Sequence, residues 1–141
     1  MLTLAESSHP AQQACLNSFK NVRAKDKEGW LALFADDILL QDPVGESLLD
    51  PTGNGHRGKA AIAAFWDMAI APGKINFEVH QSYPCGNECA NVGIMTNVLN
   101  GIEIKVDIVV VYRVNAAGKI ESLKAYWDFN KVAEKMQQSL Q

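Results

Sequence analysis

The run from Ile102 to Val114 constrains the fold more than any other part of the chain. Ile102, Ile104, Val106, Ile108, Val110, Tyr112 and Val114 share one parity; Glu103, Lys105, Asp107, Val109, Val111 and Arg113 share the other. An unbroken period of two demands a long strand with one face on a core. Such a strand needs partners, and its flanks supply them. Asn100-Gly101 is a tight hairpin signal that joins it to a strand from Cys89 to Val98. Before that, Ile75, Phe77 and Val79 alternate with Asn76, Glu78 and His80, and a turn falls at Pro84 to Asn87. After it, Asn115 to Gly118 turns into a last strand, Lys119 to Phe129. These segments make a four-stranded antiparallel meander.

Upstream the period is helical. Ser7-Ser8-His9-Pro10 reads as a helix entry, with Ser as cap and Pro in the first turn. Ala11, Cys15, Ser18 and Val22 follow as one inward stripe. A second helix fits Asp26 to Ala35, with Trp30, Leu31, Leu33 and Phe34 as its apolar side. Ile38 to Gln41 is a brief buried strand, after which Pro43 holds Asp42 extended. Val44 to Gly58 contains Pro51 and four glycines and reads as a long loop, a feature usually functional or disordered in a compact domain. A third helix spans Lys59 to Ile70 with Phe65 and Trp66, and Val132, Met136 and Leu140 mark a short terminal helix. The expectation is a single α+β domain over residues 1–141. It is cone-shaped, with three N-terminal helices packed on a strongly curved antiparallel sheet that encloses one pocket.

Several functions are disfavoured. The net charge of −3 comes from mixed signs, and no Lys/Arg cluster exists to hold phosphates or a membrane surface, so neither a nucleic acid nor a membrane is an expected partner. The longest apolar run, Ile108 to Tyr112, cannot span a bilayer. No signal-peptide pattern opens the chain, and Cys15, Cys85 and Cys89 make an odd set, so a reducing cytoplasm is expected. His9, His56 and His80 lie in separate elements, and Cys85 and Cys89 lack a second ligand pair, so no metal is expected. Gly53-Asn-Gly55 lacks the setting of a dinucleotide loop, and no cofactor is expected.

The segments Gly29 to Asp37, Gln41-Asp-Pro-Val-Gly45, Gly58 to Ile62 and Val114 to Ile120 together resemble bacterial ketosteroid isomerases, from about residue 10 to residue 130. That family belongs to the nuclear transport factor 2-like, SnoaL-like superfamily. The resemblance implies a cofactor-independent steroid delta-isomerase-like protein, a homodimer, with Asp42 as the general base that moves a proton beside a carbonyl. In the family a Tyr and a protonated Asp stabilise the enolate oxygen. Here those positions carry Ser18 and Val110, and loss of one such donor typically lowers turnover about 10²–10³-fold. Trp66 falls where a supporting Tyr is common, and Trp127 at the aromatic closing the pocket floor.

Each residue also has a plainer role. Asp42 before Pro43 could simply cap a turn, although an apolar surround would raise its pKa as a base requires. Ser18 either donates to a ligand or bonds a backbone carbonyl one turn back. Tyr112 is either a substitute donor or a core aromatic with a polar tip. Phe65, Trp66, Met95 and Trp127 either line a cavity for a hydrophobic, steroid-like or polyketide-like molecule or fill the core. Asp107 should face outward unless a bulge turns it. Asp36 and Asp37 should end the second helix in solvent, and Asp128 should cap the terminal one. The rival readings are a binding module without catalysis, a SnoaL-like polyketide cyclase, an epoxide hydrolase built on Asp107 and Arg113, and a filled dimerisation domain.

Overall fold

The protein is described by a computed structural model over residues 7–139. Helix α1 (Pro10–Ala24) presents Ala11, Cys15, Ser18 and Val22 to the interior, as the 4-3-4 spacing requires. Its cap is His9 and not a serine. The His9 Nδ1 accepts from the Ala11 N–H at 3.2 Å, while Ser7 Oγ accepts from the His9 N–H. Helix α2 (Lys27–Leu31) is shorter than expected, because Phe34 and Ala35 already belong to strand β1 (Phe34–Gln41). Tertiary pairing overrides local helical spacing here: the Ile120 N–H donates to the Leu33 carbonyl at 2.9 Å, and Phe34 pairs with Ile120. Asp36 and Asp37 are exposed, in a strand and not at a helix end.

The long loop contains a two-residue strand, β2 (His56–Arg57), and is organised by Asp50. That buried carboxylate accepts from the Gly55 N–H at 2.8 Å and from the Thr52 hydroxyl at 3.4 Å. Helix α3 (Lys59–Phe65) continues into a π turn, Trp66–Ile70, closed by the Ala71 N–H on the Trp66 carbonyl at 2.8 Å. The Lys25 ammonium, at the end of α1, donates to the carbonyls of Ile70 (2.6 Å), Ala71 and Gly73, and so holds the end of that turn. Strands β3 (Lys74–Cys85), β4 (Glu88–Leu99), β5 (Ile102–Val114) and β6 (Ile120–Tyr126) form the meander. β3 runs to Cys85, so its turn is only Gly86-Asn87, and β6 stops at Tyr126, short of the expected Phe129. Asn100 and Gly101, with φ of 50° and 78°, make the predicted hairpin.

The sheet order is β2-β1-β6-β5-β4-β3. All pairs are antiparallel except β1 with β6, so the small first strand joins the meander through one parallel seam. On β5 the alternation holds: Ile104, Ile108, Val110, Tyr112 and Val114 are buried, while Glu103, Lys105, Asp107 and Arg113 are exposed. Pairing of β5 with β4 is regular from Glu88–Arg113 to Leu99–Ile102, so no bulge turns Asp107 inward. The core centres on Trp30, whose ring lies 4.6 Å from Phe34 and 5.2 Å from Trp66. After β6, Asp128 caps a 3₁₀ turn (Phe129–Lys131) by accepting from the Asn130 N–H, and α4 (Ala133–Ser139) follows. Val132 packs with Leu99 and Ile104; the expected inward roles of Met136 and Leu140 lie outside the described side chains and residues. Among the described residues no helix is long and apolar enough to cross a membrane.

β3 carries one extra residue against β4 between Val79 and Gln81, a bulge of the kind that bends a strand. Opposite stands Gly93, where an added Cβ would lie 1.8 Å from the Glu78 carbonyl oxygen. Gly93→Ala is therefore expected to lower unfolding free energy by about 1–3 kcal/mol through overpacking. Urea denaturation measures it, and a variant as stable as wild type would contradict this account of the bend.

Candidate functional site

Between the concave face of the sheet and the helices lie two adjoining chambers. The outer one, about 90 Å³, is bounded by Leu49 of the long loop, Met68 of the π turn, Leu99 and Trp127. The inner one, about 60 Å³, ends on Ser18, Trp30, Val110 and Tyr112. Asp42, Phe65, Ile70, Ile75, Met95 and Ile108 border both and form the waist between them. Asp42 is thus a carboxylate in an otherwise hydrocarbon constriction.

Its placement follows from the parallel seam. Gln41 pairs with Lys124, and the Val44 N–H donates to the Ala125 carbonyl at 3.0 Å, so the chain beyond β1 runs beside the chain beyond β6. Trp127 therefore arrives next to Asp42, and its indole Nε1–H donates to Asp42 Oδ1 at 2.6 Å. Oδ2 accepts no hydrogen bond from the described residues and is left to the chambers. Burial pushes the Asp42 carboxyl up from its ordinary value; the Trp127 hydrogen bond and the nearby His56 act the other way. His56 stands opposite Leu40 in the β1–β2 pair and diagonally from Asp42. Its ring packs on Phe65 at 5.0 Å, and its Nε2 is buried without a partner among the described residues.

The inner chamber ends in a chain of three polar groups. The Trp30 Nε1–H donates to Ser18 Oγ at 3.2 Å, and the Tyr112 hydroxyl donates to the same oxygen at 2.9 Å. An indole N–H only donates, whereas each hydroxyl has one proton to give. One proton bridges Ser18 and Tyr112, and the second has no acceptor among the described residues. Both side chains line the inner chamber, so a ligand oxygen there can receive it. Burial, with Cys15 and Asp42 nearby, pushes the Tyr112 hydroxyl well above its usual range against the Ser18 hydrogen bond, so Tyr112 remains a donor.

Of the residues singled out in the sequence, Asp42, Ser18, Met95, Val110, Tyr112 and Trp127 come together around this space. Trp66 does not: it is buried behind Trp30 and borders neither chamber. Ser18 bonds side chains and makes no bond to the carbonyl one turn back. Sequence reasoning missed Asn97, although the inward parity of β4 (Cys89, Asn91, Gly93, Met95, Asn97) pointed to it. It also missed the bonds from Trp30 and Trp127, whose partners lie 12 and 85 residues away. Among the described residues no group of His, Cys, Asp and Glu could hold a metal ion.

Two variants test this geometry. Ser18→Ala strands the buried Trp30 N–H and Tyr112 O–H, and is expected to cost about 1–3 kcal/mol in urea unfolding. A carboxyl whose folded pKa is raised binds its proton more tightly folded than unfolded, so its contribution to stability falls as pH rises through that pKa. Asp42→Asn, which keeps an acceptor for Trp127, should therefore gain thermal stability over wild type at pH 8 and lose most of that gain at pH 4. A larger gain at pH 4 would refute the shift.

Comparison with known proteins places the same architecture in a defined group. Residues 16–123 match the SnoaL-like domain. The chain is 31% identical to a Steroid Delta-isomerase of Nocardioides simplex over 96 residues, covering 68% of this chain and 72% of that protein. It superposes on the crystal structure of Delta 5-3-ketosteroid isomerase from Mycobacterium sp. with a TM-score of 0.83 and 40% identity, over 86% of this chain and 95% of that one. RV0760c from Mycobacterium tuberculosis, in complex with estradiol-17beta-hemisuccinate, matches with a TM-score of 0.83 and 36% identity, over 87% and 97% of the two chains. With a family match over most of its length, a curled six-stranded sheet and helices closing its hollow, this chain belongs to the SnoaL-like domain family of the nuclear transport factor 2-like superfamily.

Proposed function

We propose that this protein binds a rigid apolar ketone of steroid type and moves a proton between carbons near its carbonyl, with Asp42 as general base. The observation that carries this reading is the Asp42 carboxylate at the waist, one oxygen held by Trp127 and the other free toward both chambers. The steroid-acting and steroid-bound relatives support the ligand class.

In this scheme Asp42 takes a proton from the carbon beside the carbonyl, and the C–H electron pair forms an enolate. The hydroxyl whose proton Ser18 and Tyr112 leave unshared keeps that proton and hydrogen-bonds the enolate oxygen with it, where a preorganised donor in a dry site has its largest effect. Asp42 then returns the proton to the far carbon of the enone, so atoms and charge balance without a cofactor. Because burial raises the Asp42 pKa, the carboxylate is a stronger base than a solvated one.

A second reading, a binding module without turnover, is favoured by Val110, which puts a hydrocarbon where the resemblance calls for an acidic donor. One experiment separates the two. With androst-5-ene-3,17-dione as substrate, Asp42→Asn is expected to lower turnover about 10²–10⁴-fold while leaving steroid affinity within a few-fold. Ultraviolet absorbance of the conjugated product and calorimetric titration measure these quantities. Equal turnover in the two proteins removes Asp42 as base, and binding without turnover in wild type supports the module.

We also propose a homodimer through the outer sheet face, where Val109, Val111 and the exposed Tyr126 interrupt the charged residues of β5 and β6. A cytoplasmic location is part of the same proposal, with Cys15, Cys85 and Cys89 all free thiols. Sedimentation at micromolar concentration should give twice the monomer mass.

A further inference from the structure

His56 is held on both sides. Before it, the Gly55 N–H donates to Asp50 Oδ2 at 2.8 Å, and an added Cβ at Gly55 would come within 3.1 Å of the Leu40 carbonyl oxygen. After it, the Gly58 N–H donates to the Ile38 carbonyl at 2.8 Å. The β1–β2 pair sets His56 opposite Leu40, and Leu40 and Asp42 share one parity. The imidazole therefore stands on the Asp42 face of that pair, on the diagonal, roughly 7 Å away. Its ring packs on Phe65, which borders both chambers, whereas His56 borders neither.

Neither ring nitrogen is hydrogen-bonded among the described residues; Nε2 is enclosed, and Nδ1 is not. An imidazole changes charge near neutral pH, and a proton can arrive here at Nδ1. The other charged groups on the elements packed against β2 do not take up that charge. Asp36 and Asp37 of β1 are exposed, and Arg57 donates to the Asp37 carbonyl at 3.1 Å. Asp50 accepts from Gly55 and Thr52, Lys59 opens α3, and none of the five is ion-paired with His56. Asp42 for its part has a neutral donor in Trp127, and no Lys or Arg borders either chamber. An enclosed carboxylate gains most from a nearby cation that nothing else has neutralised.

We propose that His56 is a positioning residue for Asp42, whose imidazolium stabilises the carboxylate from behind Phe65 without touching the ligand. This rests on the reading of Asp42 as general base and adds a regulator to it. The charge of His56 opposes the effect of burial at Asp42. As pH falls and the ring gains its proton, the carboxylate is protected just where it would otherwise be lost. Asp42 can then accept a proton over a range that reaches further toward acid.

Titration of the Asp42 carboxyl, followed by its carbon-13 resonance and assigned with Asp42→Asn, reads this directly and needs no turnover. His56→Phe keeps a ring on Phe65 and removes the charge. Its Asp42 is expected to titrate about one pH unit higher than in wild type. His56→Lys restores a cation and should return the titration to the wild-type position or below; His56→Gln serves if the phenylalanine variant does not fold. The acid limb of kcat/KM for androst-5-ene-3,17-dione should move the same way as the carboxyl in each variant. An Asp42 that titrates at the wild-type pH or lower in His56→Phe overturns the inference and leaves the general-base reading standing. So does a lysine variant that titrates as high as the phenylalanine one, because the ring and not its charge would then matter. Equal turnover of wild type and Asp42→Asn removes the base itself, and with it any part for His56 in the reaction.

Discussion

A carboxylate in an apolar wall is the constraint around which the interior is arranged. Ionised, Asp42 is disfavoured by burial, and it can be kept there only by a donor whose own position is secure. Trp127 is that donor, and it reaches Asp42 because β1 and β6 run parallel and continue side by side past Gln41 and Lys124. The same seam carries Leu40 and Ala125 into the core and sets the long loop on its course over the outer chamber. If this pairing slipped by one residue, side chains of β1 would exchange faces and the carboxyl would leave the cavity.

The two ends of the hollow use polar groups differently. At the inner end three groups form a chain in which every donor but one hydroxyl proton is committed. At the outer end the Asn97 amide lies among hydrocarbon side chains, its oxygen turned against Gly73. Between them the waist is apolar except for Asp42. Such a lining favours a ligand whose polar atoms are few and widely spaced, because any additional polar group would be buried unpaired.

Helix α1 and the meander were legible in the sequence because their periods are long and uninterrupted. The stripe through Ser18 and the alternation from Ile102 to Val114 each repeat often enough to fix a face. The second helix was overextended because Leu33 and Phe34 continue an apolar helical spacing, while their actual partners, around Ile120, are remote in sequence. Trp66 illustrates the same limit at the site. Its type and position suggested a cavity wall, but it packs against Trp30, and Trp30 is the one of the two that lines the inner chamber. Asn97 shows the reverse, a residue whose inward parity was readable and whose unpaired oxygen was not.

The sequence by itself determined the α+β class, the strand faces, the tight turn at Asn100-Gly101 and the presence of an aspartate beside Pro43 at the end of a short strand. These are local properties, set by side-chain periodicity and backbone preference. Only the tertiary structure decided that the short strand pairs in parallel with the last one, that Trp127 holds Asp42, and that Ser18, Trp30 and Tyr112 share one hydrogen-bonded chain. Each of those contacts joins residues far apart along the backbone, and its geometry depends on how the whole sheet curls, which no local spacing encodes.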